Sequence, residues 1–472
     1  MLISRLDMLT KKLMRPGRRR ISLTVGAAIG TLCLAAGAAF PAATQEAPTA
    51  QSGAEALTLP EAVRAAVLAH PSIRGARAQE QQADESVAAA RAGYRPQITG
   101  GIEGQTYGRR NSSYDSRHVY TATMNASQML YDFGKVAGAM RQAEAGVRAK
   151  EAQRELVTDG VILSVSQAWI DAHMQQTLVR IAREQLAAVT SLAALVNERV
   201  SKGATSRSDL EQANSRVDAL RSQLLSVEAE AQRASLAMMY LTGRMAPVII
   251  TGDIPPTLRG DACQADFNAA APSVRLAEAQ RDDARAQLDI ARAERRPTVT
   301  LDGSVGYALT EGSRPNGKYR STGEIGVNVS MPLYQGGATQ ARERGAFHQL
   351  RAYEDAVEQA RLGARQGLTD AGAQAEGWAT RAPVLAARVN SIDATRDLYR
   401  QQYLQLGSRS LLDLLNAEQE YHSARVDQVQ GVYVQYHLAA QCLYHRGLLP
   451  DAFGLAGGAS GGEVAIAEGV EQ

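Results

Sequence analysis

Two long stretches of this 472-residue chain repeat one another in order and spacing. That duplication limits the folds open to the chain more than any other feature. Pro71-Ser-Ile returns as Pro272-Ser-Val, and Arg95-Pro-Gln-Ile-Thr returns as Arg296-Pro-Thr-Val-Thr. Leu130-Tyr-Asp-Phe-Gly matches Leu333-Tyr-Gln-Gly-Gly, and Gly203-Ala-Thr-Ser-Arg-Ser-Asp-Leu matches Gly407-Ser-Arg-Ser-Leu-Leu-Asp-Leu. The spacing stays close to about 200 residues throughout, as expected of a duplicated structural unit. The chain therefore divides into a leader over 1–43, a first unit over 59–246, a Pro/Gly-rich linker over 247–271 and a second unit over 272–449. A Gly/Ala-rich tail over 450–472 is expected to be disordered.

Within each unit the hydrophobic period switches twice. Glu61–Gly93 and Ser273–Glu294 are rich in Ala, Arg, Gln and Glu and follow prolines, so both are expected to be helical. After Pro96 the pattern alternates, with Ile98, Gly100 and Ile102 on one side and Gln97, Thr99 and Glu103 on the other. Strands are expected at about 96–107 and 118–131, and again at about 297–309 and 319–333, with polar loops between. Each is long enough to supply the roughly 9–11 residues of a tilted membrane strand. A soluble hairpin with one wet face would alternate in the same way.

Each strand pair is followed by a long helical run, Lys135–Val200 and Ala338–Leu406, then a Gly-containing turn and a second helix. The long runs would reach roughly 100 Å at the α-helical rise, which no compact domain needs. The apolar series Leu210, Ala213, Val217, Leu220, Leu224, Val227 and Val426, Val429, Tyr433, Tyr436, Ala440, Leu443 step by alternating threes and fours. These are coiled-coil seams. Only 5% of the residues are aromatic, which suits long helices packed through small side chains.

The leader has a basic cluster, Arg15 to Arg20, followed by an apolar run from Ile21 to Gly37 and then small residues, the pattern of a secretory signal. Export tips the strand reading toward a membrane barrel. Cys33 lacks the small preceding residue that a lipid-modified cysteine needs. The totals of 51 basic and 49 acidic residues include Arg5, Lys11, Lys12, Arg15, Arg18, Arg19, Arg20 and Asp7 of the leader; the rest carries a net −4. A mildly acidic body argues against nucleic acid as a partner. Beyond the leader only Cys263 and Cys442 remain, either as one disulfide in an oxidising compartment or as two free thiols.

Nothing in the sequence points to catalysis. It holds no Gly-rich phosphate loop, no His-Glu-x-x-His and no Cys-x-x-Cys, so no enzyme, cofactor or metal is expected. His437, Cys442 and His445 cluster near the end of the second unit without a carboxylate to complete a metal site. Four strands cannot close a barrel, and lipid tolerates no open sheet edge, so the chain is expected to oligomerise. Two copies supply a filled barrel of eight strands, and three supply twelve strands with a lumen. The competing reading is a soluble periplasmic coiled-coil adaptor or scaffold, which would lack duplicated strand pairs of membrane length.

Leu59-Pro-Glu-Ala-Val, His70-Pro-Ser, Tyr94-Arg-Pro, Leu130-Tyr-Asp-Phe-Gly-Lys135, Leu333-Tyr-Gln-Gly-Gly-Ala338 and the run from Gly407 to Glu418 together resemble the TolC family of outer-membrane efflux and type I secretion channels. The resemblance implies a mixed α and β membrane protein. Antiparallel coiled-coil helices would form a trimeric α-barrel, and four strands per chain would contribute to a 12-stranded outer-membrane β-barrel. It places the homotrimer in the outer membrane of a Gram-negative cell, extending into the periplasm. It also implies a periplasmic adaptor and an inner-membrane ABC or proton-driven transporter as partners.

By the same resemblance, Ser208, Asp209 and Arg409 are candidate gate residues at the two helix tips, and Asp413 with Asn416 occupies a narrow acidic ring. Ser208 or Asp209 would serve equally as a helix cap. The family's closing tyrosine falls on Leu404, with Tyr403 beside it. The implied function is passive conduction for protein secretion or drug efflux. The missing lipidation cysteine favours the secretion-type branch.

Overall fold

The computed structural model describes residues 56–108, 114, 116–259, 261–263, 271–315 and 318–455. The expected leader lies outside the described residues, as does the tail beyond 455. The first unit contains α1 (Leu59–Ala69), α2 (Pro71–Arg91), β2 (Gln97–Thr106), β3 (His118–Tyr131), α3 (Lys135–Ser201) and α4 (Arg207–Thr242). The second contains α5 (Pro272–Ala293), β5 (Thr298–Ala308), β6 (Ser321–Ser330), α6 (Ala338–Gln401), a π-helical turn (Gln402–Leu406), α7 (Leu411–His445) and α8 (Leu449–Ala452). Two short segments, β1 (Ala56–Leu57) and β4 (Ile249–Ile250), pair in parallel and tie the start of the first unit to the linker.

The four long strands form one antiparallel sheet in the order β2-β3-β5-β6, so the two hairpins join through β3 and β5, and β2 and β6 are its edges. The strand expected over 319–333 ends at Ser330, because Pro332 has no N–H to donate to a ladder. The helix expected over Glu61–Gly93 is broken at Pro71. His70 turns extended (φ −68°, ψ 127°), and its Nδ1 accepts from the Ser72 N–H at 3.3 Å, capping α2. At the exit of β3, Asp132 Oδ1 and Oδ2 accept from the backbone N–H groups of Gly134 and Val136 (2.9 and 2.5 Å), which starts α3.

Helix α3 is the central rod. Arg154 pairs with Glu80 of α2 at 2.6 Å in its first half, and Arg183 pairs with Glu228 of α4 at 2.6 Å in its second. The two shorter helices thus flank successive stretches of it. The main core gathers Ile162, Val165, Trp169 and Ile170 of α3 with Leu57, Leu59, Val63, Met238 and Leu258, and Trp169 Nε1 donates to the Leu57 carbonyl at 3.1 Å. Burying each such large side chain stabilises by roughly 1.5–3 kcal/mol.

Leu449 and Phe453 belong to the same core. The first residues of the tail expected to be disordered, 450–455, are instead held in place, because this apolar pair anchors the chain through α8. A second core at the helix tips joins Val189, Leu192 and Val196 of α3, Ala213, Val217 and Leu220 of α4, and Leu414 and Leu415 of α7. Ala213, Val217 and Leu220 of the α4 seam lie in this core, and Leu210 packs against it. Close approach of α6 and α7 requires Gly367, since a Cβ there would fall 2.3 Å from His445 Cε1.

Candidate functional site

The sheet has two chemically distinct faces. Gln97, Thr99, Asn125, Ser127, Asp302, Ser304, Glu324 and Asn328 line a polar hollow of ≈ 520 Å³ on one side. Ile98, Ile102, Ile325, Val327 and Val329 stand exposed on the other. Strict alternation in the sequence produces this division, since neighbouring strand residues point to opposite faces. No helix among the described residues is long and apolar enough to cross a membrane.

At the opposite end of the long helices the two tips share one cleft of ≈ 240 Å³, lined by Arg199, Thr205, Asp209, Tyr403, Arg409 and Ser410 among others. Both tips use the same cap. Ser206 Oγ accepts from the Asp209 N–H at 3.2 Å, and Ser410 Oγ accepts from the Asp413 N–H at 3.1 Å. Ser206, rather than Ser208 or Asp209, is therefore the N-cap of α4, and Ser208 bonds to Ser206 through its hydroxyl at 2.8 Å. The Asp209 carboxylate accepts from the Thr205 hydroxyl. Arg409 Nε donates to Gln402 Oε1 at 3.1 Å, its guanidinium lies over the Tyr399 ring at 4.4 Å, and Nη1 is 3.9 Å from Asp413. Asp209 and Arg409 thus line one cleft without pairing inside the chain. Asp413 is partly exposed and Asn416 exposed on α7.

The tips end differently. After α3 the Ala204 N–H bonds the Arg199 carbonyl at 2.8 Å and the Gly203 N–H bonds that of Val200 at 3.0 Å, a Schellman closure. At the second tip Arg199 Nη1 donates to the carbonyls of Tyr403 and Leu404, both at 3.3 Å, and the guanidinium faces the Tyr403 ring at 5.0 Å. The Ser408 N–H then bonds Gln402 O at 3.2 Å, and the last turn widens to a π-turn. Tyr403 lies buried in the cleft. The register that puts Leu404 in the tyrosine's place assumes a regular helix, and the π-turn removes that assumption. Arg199 escapes a reading by motifs because its partners lie on the other hairpin; its place four residues before Gly203, matching Tyr403 before Gly407, is the available signal.

Farther along α7, Glu418 and His422 are buried with 3.8 Å between them, and Arg396 of α6 is 4.0 Å from Glu418. Burial raises the Glu418 pKa and lowers that of His422 to about 4, so the imidazole is neutral near pH 7. Arg425 of α7 reaches Glu184 of α3 at 2.6 Å. Asp159, buried in α3, is raised to about 7 by burial.

Cys263 and Cys442 are joined in a disulfide that fastens the linker to α7. His437 Nε2 meets Asp171 Oδ1 at 2.9 Å, and His445 packs on Gly367, so the three residues that cluster in sequence serve separate contacts. No metal-holding group of three ligands occurs among the described residues.

Paired long hairpins beneath a sheet with one polar and one exposed aliphatic face are the architecture of an outer-membrane channel. The chain belongs to the outer membrane efflux protein family, whose profile matches residues 62–244 and 266–444. It is 26% identical over 365 residues to the outer membrane efflux protein BepC of Brucella suis biovar 1, covering 76% of this chain and 78% of that one. It is 26% identical over 374 residues to the outer membrane protein TolC of Vibrio cholerae, covering 71% and 84%.

It is also 22% identical over 355 residues to the alkaline protease secretion protein AprF of Pseudomonas aeruginosa, covering 73% and 72%. Among solved structures it resembles CusC with a TM-score of 0.73 at 20% identity, over 82% of this chain and 91% of that chain. It resembles VceC of Vibrio cholerae with 0.69 at 19%, over 82% and 96%. The protein is an outer-membrane channel that extends into the periplasm.

Proposed function

We propose that three copies close a 12-stranded β-barrel continuous with a periplasmic α-barrel, and that this trimer is the passive outer-membrane conduit of a tripartite exporter. The sheet carries the proposal: its edges, β2 and β6, have no partner strand among the described residues, and its exposed aliphatic face needs lipid. Edges exposed to hydrocarbon leave backbone groups unbonded, so closure with neighbouring copies is required. Twelve strands leave room for a lumen lined by the polar hollow. Helix α6 leaves Leu362, Val384 and Leu398 exposed, which supports packing against neighbouring hairpins.

The partners are a periplasmic adaptor and an inner-membrane ABC or proton-driven transporter. Relatives named for efflux and for protease secretion leave both cargo classes in the family. The unlipidated leader favours secretion of protein. At the tips, Ser208, Asp209 and Arg409 form the gate, with Asp209 and Arg409 acting between hairpins or between copies as a water-accessible, charge-assisted latch. Asp413 supplies a ring of three carboxylates that attracts cations, and Asn416 weakens it relative to a double ring. Mass measurement of the intact detergent-solubilised protein, combined with planar-bilayer recording, is the test. A trimer that conducts is expected; a monomer recovered from the soluble periplasm rejects the channel.

A further inference from the structure

The unit boundaries at the periplasmic end of the sheet hold an arrangement that conduction does not use. Arg95 and Arg296 occupy equivalent places, each directly before the proline that leads into a strand. Proline confines the preceding residue to extended backbone, and Arg95 takes φ −98° and ψ 156°. The surrounding backbone is fixed. The Arg95 N–H donates to Ala92 O at 2.9 Å, Gln97 Nε2 donates to Arg95 O at 3.3 Å, and Gln128 Nε2 donates to Tyr94 O at 2.8 Å. The Arg296 N–H donates to Ala293 O at 2.9 Å.

Both residues are exposed, and neither guanidinium has a hydrogen bond or ion pair among the described residues. Their neighbours differ: Arg292 and Arg295 both reach Glu343 (3.6 and 3.2 Å), and Arg342 reaches Glu294 (2.8 Å). The carboxylates at this level are engaged by other arginines.

Exposed Tyr94, Tyr131 and Phe133 in the first unit, and Met331, Leu333 and Tyr334 in the second, mark the same boundary. Phe133 is the sole non-glycine with positive φ among the described residues (55°), while the matching position of the second unit is Gly336 (61°). Its ring meets Tyr131 edge-on at 4.6 Å. A phenyl ring placed where the backbone favours glycine indicates a gain from what surrounds it, and the tyrosines at this boundary, Tyr94, Tyr131 and Tyr334, are of the amphipathic kind that gathers at the headgroup level of membranes. Exposed cations on a fixed backbone, without a protein anion among the described residues and at the rim of an exposed aliphatic face, match the phosphate of a phospholipid.

We propose that Arg95 and Arg296 each form a site for an anionic phospholipid headgroup of the periplasm-facing leaflet. Each arginine is expected to favour an anionic over a zwitterionic lipid roughly fivefold. The full-length channel is reconstituted in nanodiscs of phosphatidylcholine, with or without phosphatidylglycerol, and the lipid retained after detergent washing is quantified by mass spectrometry. Wild type retains phosphatidylglycerol preferentially, and rising salt weakens the preference.

The R95Q/R296Q pair brings the ratio close to one, and R95K/R296K keeps most of it. R77Q/R207Q, which removes two exposed charges elsewhere, leaves it unchanged. Inorganic phosphate does not compete, because the site is assembled with the bilayer. The single R296Q variant, expected to lose part of the preference, carries the same test if the pair assembles poorly. An absent preference in wild type, a preference that survives both glutamines, equal loss in the control pair, or displacement by inorganic phosphate overturns the proposal.

Discussion

The two hairpin tips share a cap but differ in their closure, and the difference shows where the molecule is held. In both, a serine caps the outgoing helix and an aspartate follows at the third helical position, Ser206 with Asp209 and Ser410 with Asp413. In both, the residue before the serine faces that aspartate, Thr205 by a hydrogen bond and Arg409 across 3.9 Å. The first tip then closes through its own backbone alone, whereas the second adds to its backbone closure two bonds from Arg199 of its neighbour. Helix α6 also carries Pro383 inside its length, which removes one i→i−4 bond, while α3 runs through 67 residues without proline. One hairpin is self-contained and the other is braced, so the braced one is where a latch can release.

The widest break of this comparison is expected in conductance. Asp209→Ala with Arg409→Ala should raise single-channel conductance in planar bilayers several-fold, since it removes one latch charge from each tip at once. Unchanged conductance would sink the latch.

Next in size is the base of the second hairpin, which the Cys263–Cys442 disulfide ties to the linker across 179 residues of chain. The first hairpin has no such bond. Cys263→Ser with Cys442→Ser should cost about 2–5 kcal/mol. Hydrogen exchange should rise in α7 and stay unaltered in α4; equal loosening of both would remove the asymmetry.

At the tips, Arg199→Gln should cost about 1.5–3 kcal/mol, the value of charge-assisted bonds to the two carbonyls. Exchange over Gln402–Leu406 should accelerate, while the Schellman turn at Gly203 keeps its protection. Acceleration at both turns would mean that Arg199 supports the cleft as a whole.

Much of this architecture was legible in the chain. Alternation over Gln97–Thr106 and Thr298–Ala308 set the strands, because a half-buried sheet admits only a period of two. The series Ala213, Val217, Leu220 set the α4 seam. The π-turn was not legible, since it depends on a guanidinium supplied by a distant segment, and local patterning carries no trace of that. Pairing of β1 with β4 was equally hidden, because strands of two residues have no period to read. At the site, the family resemblance pointed to Asp209, Arg409 and Asp413 and named Tyr403 only as the neighbour of Leu404; it did not reach Arg199, whose role follows from facing Tyr403 across the two tips.

The two hairpins should also part in their response to pH. Asp159 of α3 is buried, with its pKa raised to about 7 by burial, Arg275 opposing the shift and Glu155 and Asp451 adding to it. Its folded pKa lies above its unfolded one, so its stabilising protonation is complete below the unfolded value and is lost as pH rises through about 7. Between about pH 5.5 and pH 8 this amounts to a loss of about 2 kcal/mol. Asp159→Asn should flatten the thermal-stability profile over that range, raising stability on the alkaline side. On the second hairpin, His422 works the other way, losing stability as pH falls from its unfolded range toward about 4, with Glu418 beside it opposing that loss. A profile that keeps its slope in the Asp159→Asn variant would assign the pH dependence elsewhere.

The smallest expected effect discriminates most finely. Ser206→Ala and Ser410→Ala each delete one side-chain acceptor for one backbone N–H, and caps of this kind are worth about 1 kcal/mol. Local geometry predicts equal cost, since the two bonds differ by 0.1 Å (3.2 and 3.1 Å). Function predicts inequality. If only the braced tip moves, Ser410→Ala shifts the balance between closed and open states by the same ~1 kcal/mol, a roughly fivefold change in their ratio. Ser206→Ala lowers stability without altering that balance. Recording open probability for both variants, alongside their unfolding temperatures, therefore separates a cap that merely stabilises from one that belongs to the moving part. Equal stability losses with equal open probabilities would show that the two tips, for all their difference in bracing, move together.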